Sequence, residues 1–200
     1  MPSPTPTPTP SSSQAAAGEP HRDRMGDPAR VLALSDGVFA IVITLLVLEI
    51  QVPDLGQGQS LGDALDAIRP SFVAFLISFV VTAIAWAGHR DLFALVERTD
   101  PALVWLNIVY LLPLSMLPFG ASLIARHDRD SIALGLYGVL LLAIALTRLA
   151  IWWYATGRPG LLHAPIDNRL RRRGIVLAAI AAAVYAVAVA LAGPAPTASL

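Results

Sequence analysis

Five apolar runs, Val31–Ile50, Ser71–Gly88, Ala102–Ala125, Ile132–Tyr154 and Gly174–Ala192, take up most of the chain after its first 30 residues. Each is near or above the roughly 18 to 20 residues that an α-helix needs to cross about 30 Å of hydrocarbon. A soluble domain of this size hides one or two all-apolar helices, so this many cannot share a water-soluble core. A content of 56% hydrophobic and 14% charged residues, with a mean hydropathy of +0.64, points the same way. The predicted fold class is all-α: a polytopic helical membrane protein with five evident spans.

Residues 1–28 hold Pro/Ser/Thr repeats and a mixed-charge patch, with too little apolar surface to offset the entropy of ordering. They read as a disordered tail, residues 29–193 as the transmembrane domain, and residues 194–200 as a short C-terminal tail. The first segment lacks the basic start and apolar stretch of a secretory signal, so insertion is expected to be driven by the spans downstream. Asp27 and Pro28 offer a cap and a first-turn proline to the first helix, and Pro53, Gly56 and Gly58 end it. Pro70 and Pro101 open the second and third helices, while Pro113 and Pro118 predict a kink inside the third.

The 14 basic and 14 acidic residues cancel, leaving no net field to hold nucleic acid. The absence of cysteine removes disulfide scaffolds, Cys-ligated metals and Cys nucleophiles. All the basic residues are Arg, and they lie unevenly. Arg22, Arg24, Arg30, Arg90, Arg98, Arg158, Arg169, Arg171, Arg172 and Arg173 fall on one side of the predicted spans, against Arg69, Arg126 and Arg129 on the other. The excess predicts a cytoplasmic N-terminus. Trp105, Trp152, Trp153 and Tyr154 fall near span ends, where aromatic rings anchor at the interface. The Arg169–Arg173 run is the basic flank expected before a span, within reach of anionic lipid.

Polar groups inside spans mark function, because each costs a few kcal/mol at the bilayer centre unless it faces protein or water. The first helix is the richest. At 100° per residue, Leu34, Val38, Ile41, Leu45 and Leu48 form one stripe, with Thr44 on its border and Asp36, Ala40, Ile43 and Val47 opposite. On spacing alone the stripe reads as a packing seam between helices, with a pore wall as the functional alternative. Asp36 and Arg30 are too far apart along one helix to pair well. Their expected partners at similar depth are His89 and Asn107, which would tie the first three spans together. An Asp36–His89 dyad is the catalytic or proton-relay rival, but no hydrolase or metalloprotease motif accompanies it, so no enzyme and no cofactor are expected.

The remaining polar features are weaker. Arg148 is expected to snorkel to the interface or join the polar cluster. Ser78, Thr82, Ser115 and Ser122 are small groups that let helices approach closely. His127 with Asp128 and Asp130, and His163 with Asp167, lie in connections without ligand spacing, so no metal is expected.

The stretch Arg30-x-x-x-Leu34-Ser35-Asp36, continuing G-V-F-A-I-V-I-T-L-L-V-L-E-I, resembles the signature R-x-x-x-F-S-D helix of the transmembrane protein 175 family of potassium channels. Trp86-Ala-Gly-His89-Arg-Asp-Leu-Phe93 is similar to that family's second span, and Leu106-Asn107 with Leu117-Pro118-Phe119 to its third. The resemblance implies a potassium-permeable channel, a homotetramer in the cell membrane whose first helices line the pore. It implies a constriction at Ile41, Leu45 and Leu48, a selectivity hydroxyl at Thr44, and a packing network of Arg30, Ser35, Asp36, His89 and Asn107. Two features depart from the pattern: Leu34 stands for the signature Phe, and five spans stand where bacterial relatives have six. A proton-coupled transporter and a non-conducting structural membrane protein remain the alternatives.

Overall fold

The computed structural model describes residues 26–51, 53, 60–127 and 130–191. These form helices α1 (Pro28–Leu48), α2 (Leu61–Ala67), α3 (Arg69–Phe93), α4 (Pro101–Ser115), α5 (Leu117–Arg126), α6 (Ser131–Gly157) and α7 (Asn168–Leu191). Most of the predicted tail, including Arg22 and Arg24, lies outside the described residues, as do Gly56, Gly58, Asp128, Arg129 and residues 194–200. The last residues assigned to the tail are ordered: Gly26 forms an antiparallel bridge with Thr99, and Asp27 caps α1.

Helix boundaries follow local chemistry. The Asp27 carboxylate accepts from Ala29 N at 2.8 Å with Pro28 in the first turn, as the Asp-Pro pair predicts. The same device opens α4, where Asp100 accepts from Leu103 N ahead of Pro101, while Asp130 caps α6 through Ile132 N. The kink of the third run is a break between α4 and α5 at Met116. Pro118 sits in the first turn of α5, where a missing N–H costs nothing, so the freed carbonyls fall between two short helices. α2, a short helix outside the five apolar runs, is signalled by the capping box Ser60-x-x-Asp63: the Ser60 hydroxyl accepts from Asp63 N, and the Asp63 carboxylate accepts from Ser60 N.

α1 packs on α3 and α4, α3 on α5, α4 on α6, and α7 along α6. The core lies where α1, α3, α4 and α6 converge, around Phe39, Val42, Tyr110, Leu114 and Ile144. Backbone bridges Gly26–Thr99 and Val96–Leu162 gather the start of α1, the α3–α4 connection and the α6–α7 connection at one end. The Arg groups at 90, 98, 158 and 169–173 therefore share that end, as their sequence alternation requires.

Among the described residues four spans, Pro28–Leu48, Arg69–Phe93, Pro101–Arg126 and Ser131–Gly157, are long and apolar enough to cross a membrane. The fifth run falls in α7, whose first turns hold Arg169, Arg171, Arg172 and Arg173 and whose apolar portion runs on from Gly174. Large side chains such as Phe72, Leu76, Val80 and Ile84 on α3 stand exposed over one face. A soluble monomer does not display apolar surface on this scale, whereas hydrocarbon solvates it.

Candidate functional site: the first helix and its polar clamp

α1 divides into two faces. Ser35, Phe39, Val42 and Leu46 recur at helical spacing and are buried against α3 and α4. The stripe read from the sequence lies elsewhere: Ile41 is 59% exposed, Leu45 41%, Leu48 69%, and Leu34 and Thr44 are exposed too. Within the chain, then, the stripe is not a packing seam, because the seam is the neighbouring row. Thr44 Oγ1 donates to Ala40 O at 3.0 Å and Ile41 O at 2.9 Å, so its proton is spent on its own helix and its lone pairs face outward.

On the buried face a directed chain of hydrogen bonds joins three helices. Ser35 Oγ donates to Val31 O at 2.9 Å, Asn107 Nδ2 donates to Ser35 Oγ at 2.9 Å, and His89 Nε2 lies 2.8 Å from Asn107 Oδ1. Ser35, His89 and Asn107 are all fully enclosed. The His89 ring stacks on Phe93 at 4.5 Å and on Tyr110 at 5.4 Å between centroids, with Phe39 tilted against it. His89 Nδ1 and the Tyr110 hydroxyl are buried without a hydrogen-bond partner among the described residues.

Asp36 takes a different partner. Trp86 Nε1 donates to Asp36 Oδ1 at 2.9 Å, and the Arg90 guanidinium lies over the Trp86 ring at 5.3 Å while pairing with Asp91. Thus the expected tie from α1 to His89 and Asn107 runs through Ser35, and the Asp36–His89 dyad does not form. Trp86 is the residue that the sequence reading missed as the Asp36 partner. Its spacing three residues before His89 put it on the same face of α3, which is the available signal. Arg30 is exposed and has no hydrogen bond or ion pair among the described side chains. Arg148 lies against α3 next to the cluster: its guanidinium fills the space beside Gly88 that a side chain there would need.

The other polar expectations resolve locally. Ser78 Oγ bonds the Tyr137 hydroxyl at 2.8 Å, and Thr82 donates to Ser78 O, knitting α3 to α6. Trp105 and Trp153 are exposed near helix ends, whereas Trp152 and Tyr154 have partners within the chain. Trp152 Nε1 donates to Arg171 O, and the Tyr154 hydroxyl donates to Asp100 Oδ2 at 2.6 Å. His127 bonds Leu123 O, His163 is exposed, and no cluster of metal-ligating side chains occurs among the described residues.

Four apolar spans among the described residues, three of them joined by an enclosed polar clamp, define a multi-pass helical membrane protein. The family model for the endosomal/lysosomal potassium channel TMEM175 matches residues 30–118, which contain all of α1 from the signature arginine and the whole clamp. A potassium channel of Streptomyces collinus is 37% identical over 84% of this chain and 84% of its own. The crystal structure of a lysosomal potassium-selective channel TMEM175 homolog from Chamaesiphon minutus superposes with a TM-score of 0.73 at 34% identity, covering 82% of this chain and 86% of that one. The human endosomal/lysosomal proton channel TMEM175 is 27% identical over 72% of this chain and 29% of its own. The chain belongs to the TMEM175 family.

Proposed function

We propose that this protein is a potassium-permeable channel of the cell membrane, assembled from identical subunits, as a tetramer, around α1. The observation that carries the reading is the split of α1. Its polar clamp and one apolar row face its own chain, while Ile41, Leu45 and Leu48 stand exposed in the neighbouring row. Rotational copies of such a row meet at one axis and leave a narrow apolar passage. Conduction then depends on the ring dilating enough to keep water around the ion, since a bare cation in a dry aliphatic ring is strongly disfavoured. The outward lone pairs of Thr44, between Ile41 and Leu45, supply an oxygen ligand where the ion sheds water.

Ser35, Asn107 and His89, with Asp36 and Trp86, hold α1 at a fixed rotation so that this row faces the axis. Arg30 acts between subunits at the mouth rather than within one. The Arg-rich end faces the cytoplasm. The test is recording from the purified protein in planar bilayers under a potassium–sodium gradient. Current without a coupled ion and a reversal potential displaced toward potassium support the channel. Saturating, stoichiometrically coupled flux overturns it in favour of a carrier, and silence overturns it in favour of a structural role.

A further inference from the structure

Near the start of α7 the side chains of Arg169, Arg172, Arg173, Val176 and Leu177 line an open groove. The fourth arginine of the run turns away: Arg171 Nε donates to Thr156 Oγ1 at 3.3 Å, and Trp152 Nε1 holds the Arg171 carbonyl, so this turn is pinned to α6. The three remaining guanidinium groups are exposed, and none pairs with an acidic side chain among the described residues. Nearby Asp167 is engaged by backbone N–H of Arg169. Below the guanidinium groups the same helix presents Val176, Leu177, Ile180, Val184 and Val187, all exposed, at spacings that keep them on one side. α7 packs on α6, so this outer side carries no other helix among the described residues.

We propose that this groove binds an anionic phospholipid, Arg169, Arg172 and Arg173 holding the headgroup phosphate and Val176 and Leu177 receiving the start of an acyl chain. Guanidinium forks match phosphate oxygens, whereas the aliphatic row beneath them offers nothing to a free phosphate. The boundary between the two chemistries falls near Gly174, where the helix turns from basic to apolar, which is the level of a headgroup in a bilayer.

The experiment uses the full purified chain in nanodiscs of phosphatidylcholine doped with phosphatidylglycerol, with lipid retained per subunit read by native mass spectrometry. Phosphatidylglycerol should be retained in preference. At about fivefold per arginine, Arg172→Gln with Arg173→Gln should weaken it roughly 25-fold, while Arg126→Gln at the opposite end leaves it unchanged. Equal retention of both lipids, or equal loss with Arg126→Gln, overturns the proposal. So does inorganic phosphate that binds alone and displaces the lipid, because the site then reads phosphate without a tail. Should the glutamine pair fail to assemble, Leu177→Ser keeps every charge; reduced retention supports the acyl contact and unchanged retention overturns it.

Discussion

His89 Nε2 stands 2.8 Å from Asn107 Oδ1, and the bonds behind that contact decide which ring nitrogen carries the proton. Ser35 has one hydroxyl hydrogen and gives it to Val31 O, so its oxygen can only accept from Asn107. That orients the amide, turns its oxygen toward His89, and requires an Nε2–H there. Nδ1 is left as a bare lone pair, in keeping with its lack of a partner among the described residues. One serine on α1 thereby sets the state of a histidine on α3.

Asn107→Ala should cost more stability than Ser35→Ala. It strands both the Ser35 oxygen and the His89 N–H, at roughly 1 to 3 kcal/mol for each buried group. Thermal unfolding of the assembled protein reads the ranking, and the double variant should be clearly less than additive. Additive losses would mean that the two side chains do not act through each other.

Ile41→Asn should raise current and weaken discrimination between potassium and sodium while assembly stays intact, because Ile41 is exposed on the outer row. Val42→Asn buries an amide in the core and should lower assembled yield instead, at a cost of roughly 1 to 3 kcal/mol. Bilayer recording with size-exclusion profiles separates the two. Equal behaviour at both positions would remove the case for a pore on the Ile41 row.

Gly88→Ala should be neutral to destabilising, gaining none of alanine's helix preference, since the new methyl group must displace the Arg148 guanidinium. With Arg148→Ala in place the same change should become stabilising by up to about 1 kcal/mol, the ordinary helix preference of alanine. The measurement is the Gly88→Ala effect in the two backgrounds, and an unchanged effect would rule out the contact.

Tyr154→Phe removes the hydroxyl that Asp100 accepts at 2.6 Å while the carboxylate still caps α4. The expected loss is about 0.5 to 1.5 kcal/mol. Asp100→Ala loses the cap as well, and should cost roughly 1 kcal/mol more. Amide exchange at the start of α4 should quicken in both variants, and more in the second.

Topology is testable because the chain has no cysteine. Cysteines placed at Arg98 and at His127, which lie at opposite ends of the α4–α5 span, should react with impermeant reagents from opposite sides. A cysteine at Ser12 should match the one at Arg98. Labelling of Arg98 and His127 positions from the same side would refute the alternation.

Sequence alone determined that the chain is a helical membrane protein, where most spans begin, and that Leu34, Val38, Ile41, Leu45 and Leu48 share one stripe of α1. These follow from quantities local to the chain: length of an apolar run against bilayer thickness, an Asp-Pro cap, a helical period. Tertiary structure decided the partners. A helical wheel gives the angle of Asp36 but not which neighbour stands there, and so the sequence directed Asp36 toward His89 and Asn107 when Trp86 is the donor and Ser35 makes the link. Likewise the wheel found an apolar stripe on α1 without knowing that the adjacent row, Ser35, Phe39, Val42 and Leu46, would be the one to pack. In a helix apolar on all sides, hydrophobicity carries no direction, and only the positions of α3 and α4 choose which face is buried.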